Sequence, residues 1–224
     1  MRYEEFLKQQ LNTIKENGVI QTKDMPDMDL YLDQVEGFFR KFLDNINDDL
    51  AEKYVTKSII NNYARKGLIA KPNGKKYTKA HMIMIAMVIY LRSIFKIEDI
   101  SKLMKPLIDS YNSKYDDSID PEVVYDIAEN VVEHSRNEFF TGIDDSISLI
   151  KRRLEDTDIE DDERMEMLIL ILTLSIRAGM EKYLANRLMT VYFDEPAKEK
   201  QEKIKIQKQA SAREMKKEEN ISEL

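Results

Sequence analysis

Met82 to Leu91 reads Met-Ile-Met-Ile-Ala-Met-Val-Ile-Tyr-Leu, a run without a single charge. At helical pitch it is apolar on nearly every face, so other elements have to surround it. Thr78 is an N-cap for this run, which predicts a helix to about Phe95 at the centre of a domain. The run lies inside a longer anomaly. From Lys53 to Ile97, 45 residues contain no Asp or Glu and ten cations: Lys53, Lys57, Arg65, Lys66, Lys71, Lys75, Lys76, Lys79, Arg92 and Lys96. The chain has 42 acids and 35 bases, so the rest of it holds 42 acids against 25 bases. A strongly acidic protein that keeps one segment basic is expected to present it to a polyanion.

Gly and Pro are scarce, at 6 and 5 residues, which favours helices throughout. Phe6, Leu7, Leu11 and Ile14 recur at three- and four-residue spacing and predict a helix over 2–16, stopped at Asn17-Gly18. Asp27 is expected to cap a second helix, with Leu30 or Tyr31, Val35, Phe38, Phe39, Phe42 and Ile46 inward. A break follows at Asn47-Asp48-Asp49, and residues 49–54 read as either loop or helical turn. Thr56 caps a helix to Lys66, ended by Gly67. Leu68 to Tyr77 reads as a hairpin around Asn73-Gly74, the favoured pair for a type I′ turn. A short helix over 97–107 turns Ile100, Leu103, Met104 and Leu107 inward.

After a loop-like stretch at 110–119, Asp120-Pro121 opens a helix that uses Val124, Ile127, Val131 and Phe139 and stops at Thr141-Gly142. Asp144 or Asp145 then caps a shorter one bearing Ile147, Ile150 and Leu154. A long helix over 164–192 is apolar all round in its middle, which implies burial or pairing with another chain. The expected organisation is an N-terminal helix and linker over 1–24, a compact domain over 25–109, a helical region over 110–193, and a charged tail over 194–224 expected to fray.

The helix over 56–66 divides by face. Ile59, Ile60 and Tyr63 form an apolar side. Lys57, Ser58, Asn61, Asn62 and Arg65 form one contiguous basic, amide-rich face. Asn bridges adenine N6 and N7, and Lys or Arg reaches guanine or phosphate. A major groove accepts one such helix. The basic segment after it, over 69–78, brings Lys71, Lys75, Lys76 and Tyr77 and reads as a wing. With Lys53 these are the expected DNA contacts. The bland alternative is an ordinary solvated helix face, but solubility alone is served by mixed charge, and no acid interrupts helix or wing.

The segment TKSIINNYARKGLIAKPNGKKYTKAHMIMIAMVIYLRSIFKIEDISKLM resembles the DNA-binding domain of MerR-type regulators. It shares a recognition helix ending in Tyr-x-x-x-Gly-Leu-Ile, a short wing, a Tyr-Thr entry to the next helix, and a hydrophobic helix followed by Ile-x-x-Ile. With LYLDQVEGFF ahead of it, the segment is more similar still to the bacterial family designated domain of unknown function 1836. The resemblance covers about residues 25–107. It implies a mainly α fold: a MerR-like winged helix-turn-helix with a short β-hairpin wing, then a C-terminal helical region for dimerisation or an effector. Tyr63 would support the recognition helix. Where MerR proteins usually carry Arg-Tyr-Tyr, this chain has Asn61, Asn62 and Tyr63, so one phosphate-binding Arg is missing. The connection ahead of Thr56 is also longer than the compact MerR turn.

Catalysis has no visible carriers. There is no glycine-rich phosphate loop, nucleophile elbow or paired metal-binding His. Absence of Cys excludes a disulfide framework and a thiolate metal site. His81 is expected to return a hydrogen bond to the Thr78 cap, and His134 to lie on a polar face. Asp116-Asp117, Asp144-Asp145 and Asp161-Asp162-Glu163 read as helix-start acids. The N-terminus lacks a signal-peptide core, and the longest apolar runs fall well short of the ~20 residues of a spanning helix. The expectation is therefore a cytoplasmic, non-enzymatic transcriptional regulator. It binds double-stranded DNA as a homodimer, needs no metal or cofactor, and has room for an unknown small-molecule effector beside the Met-rich stripe. The alternative is a protein-interaction module whose basic face docks an acidic partner.

Overall fold

The computed structural model describes residues 3–46, 48–113, 119–157 and 163–194. These are mainly helical, with one two-stranded antiparallel sheet. In order come α1 (Tyr3–Asn17), a 3-10 turn (Thr22–Asp24), β1 (Leu30–Tyr31), α2 (Leu32–Asp44), α3 (Asp48–Tyr54), α4 (Lys57–Arg65), β2 (Lys76–Tyr77), α5 (Lys79–Leu91), α6 (Ile97–Tyr111), α7 (Pro121–Glu155) and α8 (Glu163–Met189). A π-helical turn over Thr190–Asp194 follows α8. The chain divides into two compact units, Met1–Gly179 and Met180–Leu224.

The first unit is built around α5. His81 through Ala86, Val88 and Ile89 are all buried. Val35 and Phe39 of α2, Ile60 and Tyr63 of α4, Ile100 and Met104 of α6, and Tyr125 of α7 share its core. Burying each large apolar side chain contributes roughly 1.5–3 kcal/mol, so a helix without a polar face is stable only in this central place. In the second unit the last turns of α8 leave Met180, Tyr183 and Leu184 exposed.

Several sequence expectations are corrected. Asp27 does not cap α2. Residues 30–31 are strand, and the helix starts after Tyr31, whose backbone N donates to Gln34 Oε1 at 2.8 Å. Segment 68–77 does not close on itself as a hairpin. Leu30 pairs with Tyr77 and Tyr31 with Lys76, leaving only an isolated bridge between Asn73 and Lys76. Leu68, Ile69 and Ala70 are drawn into the core instead of forming the partner strand. The turn is not type I′ either, because no residue other than glycine has positive φ. Lys76 N donates to Asn73 O, so Gly74, at φ +64°, is the first central residue, the type II′ position.

Thr141-Gly142 does not stop α7, which runs unbroken for 35 residues with Asp144 and Asp145 inside it rather than capping a new helix. One interior Gly costs only about 1 kcal/mol, and Ser146 Oγ donates back to Gly142 O at 2.6 Å. The stripe expected to be inward on α7 is exposed throughout: Val124, Ile127, Val131 and Phe139 all face outward, and Tyr125, Ile143 and Ile150 are the buried large side chains of the helix. Within the first unit, Leu168, Ile171, Leu172 and Ile176 of α8 are exposed as well, so of the two expectations, burial or pairing with another chain, burial within this chain does not hold for them. Asp116-Asp117, Asp161-Asp162 and the tail beyond Asp194 lie outside the described residues. No helix among the described residues is long and apolar enough to cross a membrane.

Candidate nucleic-acid interface

The α4 helix is fixed at both ends by local chemistry. Thr56 Oγ1 accepts from Ile59 N at 3.4 Å. At the other end Gly67 takes φ +67°. Leu68 N donates to Tyr63 O at 2.9 Å and Gly67 N to Ala64 O at 3.3 Å, the two bonds of a Schellman motif. That motif turns Leu68 directly into the core.

Tyr63 seats the helix. Its ring is fully buried, and its hydroxyl donates to Tyr54 O at 2.7 Å. Arg92 of α5 donates to the same hydroxyl at 2.9 Å and to Lys53 O at 3.3 Å. Its guanidinium lies 5.1 Å from the Tyr54 ring centre and 5.7 Å from that of Tyr63. Burial raises the Tyr63 hydroxyl above the ordinary phenol range, partly offset by Arg92. Arg92 is thus an internal staple, although it belongs to the acid-free stretch.

With Ile60 and Tyr63 inward, Lys57, Ser58, Asn61 and Arg65 are exposed and Asn62 is half-buried. Arg65 donates to Asn62 Oδ1 at 2.8 Å, so the Asn62 carboxamide oxygen is engaged within the helix. Two open depressions meet at Asn61. One, of about 400 Å³, is lined by Ser58, Ile59, Asn61, Asn62 and Arg65. The other, of about 410 Å³, lies between α4 and the turn at Gly74 and reaches Asp33 and Lys75. Lys71, Lys75 and Lys76 are exposed beside it. Lys53 is exposed too, its ammonium 5.2 Å from the centre of the Tyr54 ring. Tyr77 is different. It is 3% exposed and packs edge-on against His81, so it supports the turn from inside.

Sequence reasoning missed the acids that reach this surface from elsewhere. Asp33, in the first turn of α2, holds Lys57 Nζ at 2.7 Å. The hydrogen bond, and secondly the charge, of Asp33 raises the Lys57 ammonium above its ordinary value. Lys79 is held by Asp27 and Glu122, each at 2.9 Å. An acid-free segment is therefore not an acid-free surface. The only signal for Asp33 in the sequence is the ordinary preference for an acid at a helix start.

His81 fastens the loop behind the turn. A carbonyl can only accept, so His81 Nε2 donates to Lys71 O at 3.2 Å. Nδ1 then accepts from Thr78, whose backbone N is 3.2 Å and hydroxyl 2.8 Å away. This is the expected bond from the third helical residue back to its cap, and burial lowers the imidazole below its usual value. Among the described residues no cluster of three or more His, Asp or Glu could hold a metal ion.

No curated protein and no solved structure matches the chain. Residues 20–128, which take in the candidate interface, the whole of α5 and the first turns of α7, match the model of the family described as Domain of unknown function (DUF1836).

Proposed function

We propose that this chain is a sequence-specific binder of double-stranded DNA that acts as a transcriptional regulator. It would use a MerR-like winged helix-turn-helix in which α4 is the recognition helix. One observation carries the reading: Ser58, Asn61 and Arg65 stand exposed on a helix whose opposite side is locked into the core, next to exposed Lys71, Lys75 and Lys76. Ser58, Asn61 and Asn62 are the base readers, since amides and hydroxyls pair with base edges, and Lys57 reaches guanine once it is released from Asp33. Arg65, Lys71, Lys75, Lys76 and Lys53 hold phosphates, which fixes register without reading sequence. The exposed apolar residues of α7 and α8 suit a homodimer, in keeping with two-fold operators.

Selection on random duplexes tests the reading. An enriched motif is expected, with binding lost in the Lys75→Glu, Lys76→Glu double variant. An unenriched pool, or unchanged binding by the variant, sinks it.

A second reading is favoured by Lys57 and Lys79, which already engage carboxylates. On it, the basic face docks an acidic protein and no enzymatic role is required. A full chain that ignores every duplex yet captures a defined acidic partner, and loses it on Lys75→Glu with Lys76→Glu, selects that reading.

A further inference from the structure

A separate cleft opens on the first unit, away from the basic face. Its walls are Val19 after α1, Met87 and Leu91 in the last turns of α5, and Val124, Ala128 and Val132 along α7. The volume is about 510 Å³, within the range of small-molecule sites at roughly 300–1,000 Å³.

What polar groups it has are mostly spoken for. Tyr90 OH accepts from Ile20 N at 2.7 Å, and Tyr125 OH donates to Ile20 O at 2.6 Å. The two hydroxyls therefore clasp the backbone of one residue, Ile20, from both sides and hold the segment after α1 against α5 and α7. Glu129 Oε2 accepts from both Thr22 N and Thr22 Oγ1 at 2.9 Å. The other oxygen of Glu129 accepts from no described residue, and Glu129 lines the cleft. The site thus offers apolar walls that are already rigidly tied and one unused acceptor that carries negative charge.

We infer that this cleft binds a small, largely apolar molecule bearing one cationic or hydrogen-bond-donating end, with its body against Met87, Leu91, Val124 and Val132 and its donor on Glu129. Apolar burial supplies the affinity, and the single carboxylate fixes orientation and selects cations over anions. The inference stands apart from DNA binding, because none of these residues belongs to the basic face.

The probe is N-phenyl-1-naphthylamine, an apolar arylamine with one N–H, titrated by fluorescence into the full chain. One-to-one saturable binding is expected. Ala128→Phe fills the cleft from an exposed helix position and should abolish binding with an unchanged circular dichroism spectrum. If that variant does not fold, Val132→Asp at the exposed rim gives the same loss. Ile127→Ser with Val131→Ser, on the neighbouring apolar ridge, should leave binding intact. Hexylammonium should displace the dye at about one tenth the concentration of hexanoate, the selectivity of one charge-assisted hydrogen bond. Absence of saturable binding, binding that survives the filled cleft, binding lost with the ridge, or equal displacement by hexanoate each overturns the assignment.

Discussion

If the basic face binds DNA as proposed, the salt dependence of that binding follows from a count of its unpaired cations. Six cations near the candidate interface have no carboxylate partner among the described residues: the five proposed phosphate holders Lys53, Arg65, Lys71, Lys75 and Lys76, together with exposed Lys66 at the end of α4. Arg92, Lys79 and Lys57 are excluded, because each already has an internal partner. Every phosphate neutralised releases counterions, so log affinity falls with log salt at about −0.9 per contact. Six contacts predict a slope near −5. Lys75→Ala with Lys76→Ala leaves four and should flatten the slope to about −3.6. Asp33→Asn removes the acid that holds Lys57 at 2.7 Å, which frees a seventh cation and should steepen the slope to about −6. Fluorescence anisotropy on a selected duplex, from roughly 50 to 200 mM salt, reads all three. A wild-type slope shallower than about −1, or one unmoved by removing both lysines, refutes the count. If Asp33→Asn instead weakens binding on the selected sequence alone, Asp33 is a base reader that accepts from cytosine N4, and not a competitor for Lys57.

Three predictions concern the scaffold. Tyr63→Phe leaves the Tyr54 carbonyl and the Arg92 guanidinium short of a buried partner, which should cost about 1–3 kcal/mol and lower Tm by roughly 2–4 °C per kcal/mol; an unchanged melt would show that the staple does not hold α4. His81 has its pKa lowered in the folded chain, chiefly by burial, so its contribution is present above the unfolded value of about 6.5 and is lost as pH falls through that value towards the folded one. Urea midpoints should therefore drop between pH 7.5 and 5.5, and less so in His81→Gln, where Gln keeps the bond to the Thr78 cap; equal drops would remove His81 as the cause. Gly142→Ala should raise stability by about 0.5–1 kcal/mol, since the φ at 142 is not positive and the new Cβ would meet only the Arg177 guanidinium, Nη1 at 3.6 Å and Nη2 at 3.8 Å; a loss would mean that the helix does break there.

The features legible in the sequence are those decided within one helical turn. Thr56, Asp120 and the pair Thr78–His81 each bond a group two or three residues away, so their types and spacing were enough. The charge-free run at 82–91 was equally decisive, because a helix without a polar face has one place to go. The pairing of 30–31 with 76–77 was not legible. Two-residue strands carry no periodicity, and the bond joins residues that only the packed core brings together. Gly142 misled because a stop signal worth about 1 kcal/mol is weak against the helix on either side of it. On α7 the spacing found the apolar stripe but could not say whether this chain covers it. Ile127 and Val131 have apolar spacing without burial.

The basic stretch makes the same point about charge. Its ten cations are one feature in the sequence and three in the folded chain. Arg92 is a half-buried hub for Tyr54 and Tyr63, and its removal would unseat α4 rather than lose a phosphate. Lys57 and Lys79 are tied to acids that arrive from α2, from the loop before β1 and from α7. The cations around the Gly74 turn and along the outer face of α4, with Lys53 of α3 and Lys96 before α6, are those without a carboxylate partner among the described residues. Composition singles out the segment, but what each cation does is set by the carboxylates that folding brings beside it. The isolated segment would therefore overstate the affinity of the whole protein. Asp33→Asn is the substitution that separates the two, since it restores to α4 the cation that its sequence promises and its fold withholds.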